Sequence, residues 1–276
     1  MSGVAVTRYA VGGLRDVAVP RLSVALLSDF HASTRFMDRP RIAGIVDQAN
    51  ALRADLVLLL GDYAGHVIGG RSLAPEDVAE ELARLSAPLG VFSVFGNHDW
   101  YNDPAPRMGE GQPTTWHRAF AAKGIPTLSN EVLPMEAGGV PFRLAGLESQ
   151  RAFVKKRRRR DRAGRPGADD LGTVMDGLDP SLFTLLMAHE PDVFPELAGH
   201  VDLTVSGHTH GGQIVPFGRP LVVPSRHGTR YAYGHFAEGT RQMVVCGGLG
   251  FTTIPLRIGR PPEIVVLELG APVQSA

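Results

Sequence analysis

Five short polar clusters along the chain carry side chains that bind divalent cations. They are Ser28-Asp29-Phe30-His31, Gly61-Asp62, Gly96-Asn97-His98-Asp99, Ala188-His189-Glu190-Pro191 and Ser206-Gly207-His208-Thr209-His210. Carboxylates, imidazoles and an amide form a hard-to-borderline donor set that suits Mn²⁺, Fe or Zn²⁺. Two such ions need a bridging carboxylate and about three further protein ligands each, with water or hydroxide between them. Asp29, His31 and His210 with Asp62 make one set. Asn97, His189 and His208 with the shared Asp62 make the other. The alternate spacing of Asp29 and His31 lets both reach one ion while Phe30 faces the core. The pair His208 and His210 can send one imidazole to each ion.

Alone, an Asp-x-His carries little information, since chance supplies about 0.6 copies in a chain of this composition. A Gly-His-x-His is scarcer, at about 0.04 chance copies. The order and placement of all five clusters carry the signal, because each stands where a short apolar run stops. Val24–Leu27, Leu56–Leu60, Val91–Phe95, Leu185–Met187 and Leu203–Val205 read as buried strands. Pro40–Leu52 and Pro75–Leu85 read as helices between the first three; in the second, Val78, Leu82 and Leu85 share a face. Alternating strands and helices predict an α/β architecture with right-handed crossovers. In such sheets, ligands bind beyond the carboxyl ends of the strands, where loops converge. The final third changes character: Gln213–Val215, Tyr231–Tyr233, Met243–Val245 and Ile264–Leu267 read as strands divided by Gly and Pro.

The remaining composition narrows the class. The 276 residues are 43% hydrophobic and 20% charged, enough apolar material for a sizeable core and against disorder over most of the chain. The 33 Gly and 21 Pro argue for many turns and against a helical bundle. A single cysteine, Cys246, excludes a disulfide framework and a cysteine zinc knuckle, and reads as a small buried hydrophobe. Basic and acidic residues balance at 28 each, so no global field favours nucleic acid. No apolar run approaches the ~20 residues of a membrane-spanning helix, and the N-terminus lacks a signal-like charged-then-apolar pattern. The expectation is a single domain over residues 1–276, in the cytoplasm or peripheral at the membrane.

The five clusters together resemble the calcineurin-like metallophosphoesterases, over roughly Leu22 to Leu269. The texture also resembles the bacterial phosphodiesterase branch typified by the YaeI and YkuE proteins. The features that carry this are Ala188-His189-Glu190-Pro191-Asp192, Gly207-His208-Thr209-His210-Gly211-Gly212-Gln213-Ile214 and Pro255-Leu256-Arg257-Ile258 with Pro262-Glu263-Ile264. The resemblance implies a β-sandwich flanked by helices, a dinuclear site and hydrolysis of a phosphoester by metal-activated water. It implies that His98 contacts substrate and protonates or stabilises the leaving oxygen, with Asp99 orienting His98. Gly146-Leu147-Glu148-Ser149 departs from the Gly-x-Asp-Asp-like turn common in the branch, and bears on substrate choice.

Outside the motifs, His66, His117, His200, His227 and His235 read as surface or loop residues. From Arg151 to Arg165, nine basic residues stand against one acid, Asp161, a local +8 on a chain whose total is zero. This segment, with Gly164, Pro166 and Gly167, reads as a mobile loop. Its charge suits an anionic membrane surface or a lipid-linked phosphoester, whereas nucleic acid is not expected because the run has no interleaved aromatic residues to stack bases, and Phe153 alone makes no platform. The activity expected is that of a phosphodiesterase or pyrophosphatase. A phosphomonoesterase and a metal-binding interaction module without turnover stay open as alternatives.

Overall fold

The computed structural model describes residues 3–103, 113–153 and 167–270. In chain order the first half holds β1 (Ala5–Val11), β2 (Leu22–Leu27), α1 (Arg39–Ala51), β3 (Leu56–Leu59), β4 (His66–Val67), α2 (Pro75–Leu82), β5 (Val91–Ser93), α3 (Asn97–Tyr101) and α4 (Thr115–Ala122). The second half holds β6 (Glu131–Ala137), β7 (Val140–Leu147), α5 (Leu171–Asp176), β8 (Phe183–Ala188), β9 (Leu203–Ser206), β10 (Gly234–Glu238), β11 (Arg241–Val245), β12 (Thr252–Thr253) and β13 (Glu263–Leu269).

Two sheets face each other, with strand orders β1-β13-β2-β3-β5 and β10-β11-β9-β8-β7-β6. Side chains alternate across a strand, and here both faces of each sheet are apolar. Val24, Leu26, Leu56 and Leu58 meet Phe142, Leu144, Leu185 and Val205 in the sandwich core. The intervening Ala25, Leu27, Val57 and Leu59 turn outward onto Ile42, Ile45 and Val46 of α1, Val78 and Leu82 of α2, and Phe120 of α4. On the far side, Leu186, Ala188, Met243 and Val245 pack under Val174, Val193, Phe194 and Tyr231. Each fully buried Leu, Val or Phe contributes about 1.5–3 kcal/mol, so three apolar layers hold two sheets and their helices as the expected sandwich.

The helices start where sequence chemistry favours it. Asp38 caps α1 by accepting from Arg41 N at 3.1 Å, with Pro40 in the first turn. In α2, Pro75 opens the helix and Glu76 and Asp77 lie in its first turn, favourable to the helix dipole. This helix ends at Leu82, shorter than the predicted span, although Leu85 stays buried in the following turn. Two predicted strands are not formed. Gln213–Val215 follows a 3₁₀ turn at His210–Gly212 and contributes one isolated pairing, Ile214 with Ile258. Tyr231–Tyr233 is turn, because Tyr231 is drawn down against Phe194 and Phe236, and the strand begins at Gly234. Conversely, β6 and β7 form an unpredicted hairpin through Gly138 and Gly139, both at positive φ, as a two-residue turn requires. Pro134 disguises β6, and is tolerated because β6 is an edge strand.

β2, β3 and β5 are mutually parallel, as are β7, β8, β9 and β11. The carboxyl ends of β2, β3, β5, β8 and β9 therefore deliver five loops to one edge of the sandwich.

Candidate active site

Asp29 and His31 follow β2, Asp62 follows β3, Asn97 opens α3 after β5, His189 follows β8, and His208 and His210 follow β9. The loops lace one another: Asp29 N donates to Gly61 O at 2.9 Å, His31 N to Asp62 O at 3.0 Å, and Gly207 N to His189 O at 3.0 Å. Asp29, His31, Asp62, His208 and His210 all adopt positive φ. Such left-handed residues cost about 1–3 kcal/mol each and persist only where their surroundings over-determine them, commonly at functional sites. Five strained residues in one place point to a function served by their side chains.

The side chains form two buried groups, Asp29 with His31 and His210, and Asp62 with His189 and His208; within each, the donor atoms lie within 4.8 Å of one another. Asp62 sits between the groups, with Oδ2 at 3.2 Å from His189 Nε2 and 3.7 Å from His31 Nε2. The outer ring nitrogens are anchored to backbone carbonyls: His31 Nδ1 to Ala64 O at 2.9 Å, His189 Nδ1 to Leu60 O at 2.6 Å, and His208 Nε2 to Pro224 O at 2.8 Å. Donating there leaves the inner nitrogen as a lone pair aimed into the site, which is how metal-ligating histidines are fixed. His189 Nε2, His208 Nδ1 and Asn97 Oδ1 are buried without a hydrogen-bond partner. Unsatisfied buried polar atoms cost free energy, and a cation supplies what all three lack. The donor set fits two divalent ions, and the two His/Asp clusters suggest a dinuclear metal site.

Burial opposes ionisation of Asp62, but the facing His189 and His98 outweigh it and hold the carboxyl well below its usual range. In turn, burial opposes protonation of His189, but the facing Asp62 outweighs it and raises the ring well above its usual value. Burial and the nearby His189 depress His208 to about 3, and burial with His31 and Arg257 depresses His210. Both rings stay neutral, and His208, anchored through Nε2, keeps its Nδ1 lone pair for the site. Packing at the site is tight: a Cβ on Gly207 would collide with Ser28 Oγ and the Asp29 carboxylate. Gly207→Ala should therefore lower stability by about 1–3 kcal/mol, the usual cost of overpacking. Thermal melts would show it; an unchanged Tm would mean that the Asp29 loop yields freely.

The structure revises the surroundings of His98. Asp99 accepts from the backbone N–H groups of Asp62, Tyr63, Ala64 and Gly96 at 2.8–2.9 Å. Its carboxylate thus braces the Asp62 loop against Gly96, which opens the helix carrying His98. Asn102 faces the ring, with Nδ2 3.1 Å from His98 Nδ1 and 3.5 Å from Gly65 O. The carbonyl turns the amide nitrogen toward the ring, so His98 Nδ1 accepts and the ring proton sits on Nε2. The ring stacks on His66 at 4.7 Å and meets His31 edge-on at 5.0 Å. His66, read as a surface or loop residue, lies in β4 at the border of the site. His117 also departs from that reading: it is half-buried in α4, 2.9 Å from Glu148. Glu148 further accepts from Trp100 Nε1 at 3.1 Å and Ser129 Oγ at 2.7 Å, bracing the helix that carries His98. Ser149 Oγ donates to Glu190 beside His189. The unusual Glu148-Ser149 pair is therefore a support behind both halves of the site.

A cleft of about 460 Å³ opens over Asp62, Asn97, His98, His208 and His210, and Arg151 lines it. Two further residues lie in segments singled out in the sequence but were given no role. Gln213 donates from Nε2 to Thr252 O and Ile254 O at 3.1 and 3.0 Å and accepts from Thr252 N at 2.9 Å, stapling two cleft walls together. The buried Arg257 donates to Gly250 O and Gly247 O and approaches His210 Nδ1 to 3.2 Å. Of the basic run, Arg151–Phe153 is described, and Phe153 packs on Trp100; residues 154–166 lie outside the described residues.

A layered α/β sandwich with paired Asp/His clusters at its strand ends defines a metal-dependent phosphoesterase class. Residues 22–212 match the model of the Calcineurin-like phosphoesterase family, and the chain belongs to that family. It is 28% identical over 256 residues to the uncharacterized metallophosphoesterase YkuE of Bacillus subtilis (strain 168), covering 89% of this chain and 78% of that protein. An uncharacterized metallophosphoesterase of Helicobacter pylori (strain J99) is 30% identical over 251 residues, 90% of this chain, which spans 60% of that relative. Among solved structures, the phosphopantetheinyl hydrolase PptH of Mycobacterium tuberculosis aligns at 13% identity and TM-score 0.48, over 82% of this chain and 89% of that one. No helix among the described residues is long and apolar enough to cross a membrane.

Proposed function

We propose that the chain is a dinuclear metal-dependent phosphodiesterase working as a single domain. Asp29, His31 and His210 would hold one cation and Asn97, His189 and His208 the other, with Asp62 shared. Mn²⁺, Fe and Zn²⁺ all suit these donors. The observation that carries the reading is the pair of buried Asp/His sets, the second of them with partnerless inner donor atoms. When bound, the cations supply Lewis acidity toward phosphoryl oxygens and activate water. The chain's own residues do the rest. Arg151 attracts the phosphate, the anchored imidazoles keep their lone pairs in place, and His98 presents its Nε2 proton to the leaving oxygen. A diester is favoured over a monoester because Arg151 is the one cationic side chain among the described residues lining the cleft, and much of its wall is aliphatic. A singly charged ester with a second substituent fits that balance. The test is hydrolysis of bis(p-nitrophenyl) phosphate and p-nitrophenyl phosphate with each metal in turn. A higher kcat/KM for the diester supports the reading; preference for the monoester, or bound metals without any turnover, overturns it.

The basic run adds an expected partner, an anionic surface or substrate. The described residues that flank it meet beside the cleft, where Ala168 N donates to Ser149 O at 2.9 Å. Charge delivered there acts within a Debye length of about 8–10 Å. Replacing Lys155 to Arg160 with Gln should raise KM for anionic substrates and leave kcat on a small activated diester unchanged. Added salt should erase the difference between variant and parent; a salt-independent loss would show that the segment supports the fold.

A further inference from the structure

Resting on the phosphoesterase reading of the site, we infer that the substrate carries an aliphatic chain beside its phosphoester, held by an apolar wall of the same cleft. Opposite the polar floor, the lining is Ile214, Leu221, Val222, Pro224 and Ile254. Leu221, Val222 and Ile254 are exposed, with Val222 at 73%. The band continues outward through Phe217, Leu256 and Ile258, and Ile68 joins it where Ile68 N donates to Thr253 O at 2.8 Å. Among the described residues, seven of the nine exposed large apolar side chains fall in this band, Val6 and Leu14 being the others. Contiguous exposed apolar surface of this kind marks a binding groove or an interaction site.

The wall is built and fastened to the candidate ligands. The segments 213–224 and 252–258 are joined by Val215 N to Ile258 O at 2.8 Å and Ile258 N to Gln213 O at 3.0 Å, besides the Gln213 side-chain staple. Pro224 presents its carbonyl to His208 and its ring to the cleft. Phe217 and Thr253 both adopt positive φ, strained conformations in the two segments that carry the wall. What covers the wall follows from its continuity with the floor. A phosphate seated near His98 and Arg151 would direct one substituent across Leu221, Val222 and Ile254. Leu221, Val222 and Ile254 themselves present only aliphatic surface, so hydrocarbon is the matching chemistry at the wall, with Tyr101 elsewhere in the cleft lining and Phe217 farther along the band. The cleft volume lies within the range of small-ligand sites, roughly 300–1,000 Å³.

The test uses the full chain and two readouts. In calorimetric titrations with alkylphosphonates from methyl to hexyl, below micelle-forming concentrations, affinity should rise about fourfold per methylene while the chain lies on the wall. The triple variant Leu221→Ser, Val222→Ser, Ile254→Ser changes exposed positions and should flatten that series without changing the affinity for methylphosphonate. In parallel, p-nitrophenyl alkyl phosphodiesters should show KM falling with chain length in the parent and constant in the variant. Chain-length-independent binding and KM in the parent would overturn the inference while leaving a phosphodiesterase. Chain-dependent phosphonate binding without turnover on any ester would sustain the wall and overturn the catalytic reading. A third arm uses neutral phosphatidylcholine vesicles: wall-dependent sedimentation with a flat alkyl series would assign the band to bilayer contact and overturn the inference.

Discussion

Asp62→Asn should abolish turnover by about 10³-fold or more, because Asp62 is the residue that both donor groups share. The loss of transition-state charge stabilisation by two cations amounts to several kcal/mol, and each 1.36 kcal/mol is tenfold in rate. The substitution is nearly isosteric. Oδ1 can still accept from His98 N, now at 2.8 Å. What disappears is the buried negative charge facing His31 and His189. His189 and His98 hold that charge favourably in the folded chain, and removing one partner of a buried ion pair leaves the other uncompensated, so the metal-free variant should melt below the metal-free parent while staying folded. The diagnostic pattern is a retained fold, a lost metal-induced rise in Tm and lost activity together. Full cation stoichiometry by elemental analysis, with activity within tenfold of the parent, would remove Asp62 from the shared position.

That experiment also probes why the site was so legible in the sequence. Asp29, His31, Asp62, Asn97, His189, His208 and His210 belong to residue types with few reasons to stand at the ends of apolar runs. The strand periodicity of Val24–Leu27 or Leu56–Leu59 needs only local information, and the parallel sheets then bring the ends together. The supporting residues were illegible because their partners are remote or their chemistry is generic. Asn102 becomes the support of His98 only once Gly65 lies beside it. Asp99, adjacent to His98 in sequence, is held by four amides from two loops. Gln213 and Arg257 sit inside noticed segments, yet their hydrogen bonds run to carbonyls 39 to 41 residues away for Gln213, and 7 and 10 for Arg257.

The two failed strand predictions have related causes. Gln213-Ile214-Val215 looks like a buried strand because Ile and Val are β-formers. In the fold, Gly211 and Gly212 turn the chain at positive φ, and Gln213 bonds across to another loop. Ile214 is thereby left facing the cleft instead of entering a ladder. Apolar residues at a binding wall mimic core residues in sequence, and only their exposure in the fold separates the two. For Tyr231-Ala232-Tyr233, aromatic packing around Tyr231 overrides the alternation, and Gly234 at φ 101° resets the chain into β10.

His98→Ala is the second large effect, and it separates proton donation from metal binding. The expected result is a kcat lower by about 10²–10⁴-fold on a diester with an alkyl leaving group, the usual contribution of general acid catalysis. With p-nitrophenolate leaving, the fall should be much smaller, since that group departs without a proton. The direction follows from the hydrogen bonds: Asn102 Nδ2 faces Nδ1, which leaves the donor proton on Nε2. Cation stoichiometry should stay unchanged, because His98 belongs to neither donor group. Asn102→Leu supplies the matching control. It removes the donor that fixes the tautomer while keeping the ring, so it should lower kcat for the alkyl ester and shift the acidic-to-basic balance of the pH–rate profile. Equal losses on both leaving groups would assign His98 to substrate binding. A loss of bound cation would place it among the ligands and redraw the boundary between the metal site and the acid that works beside it.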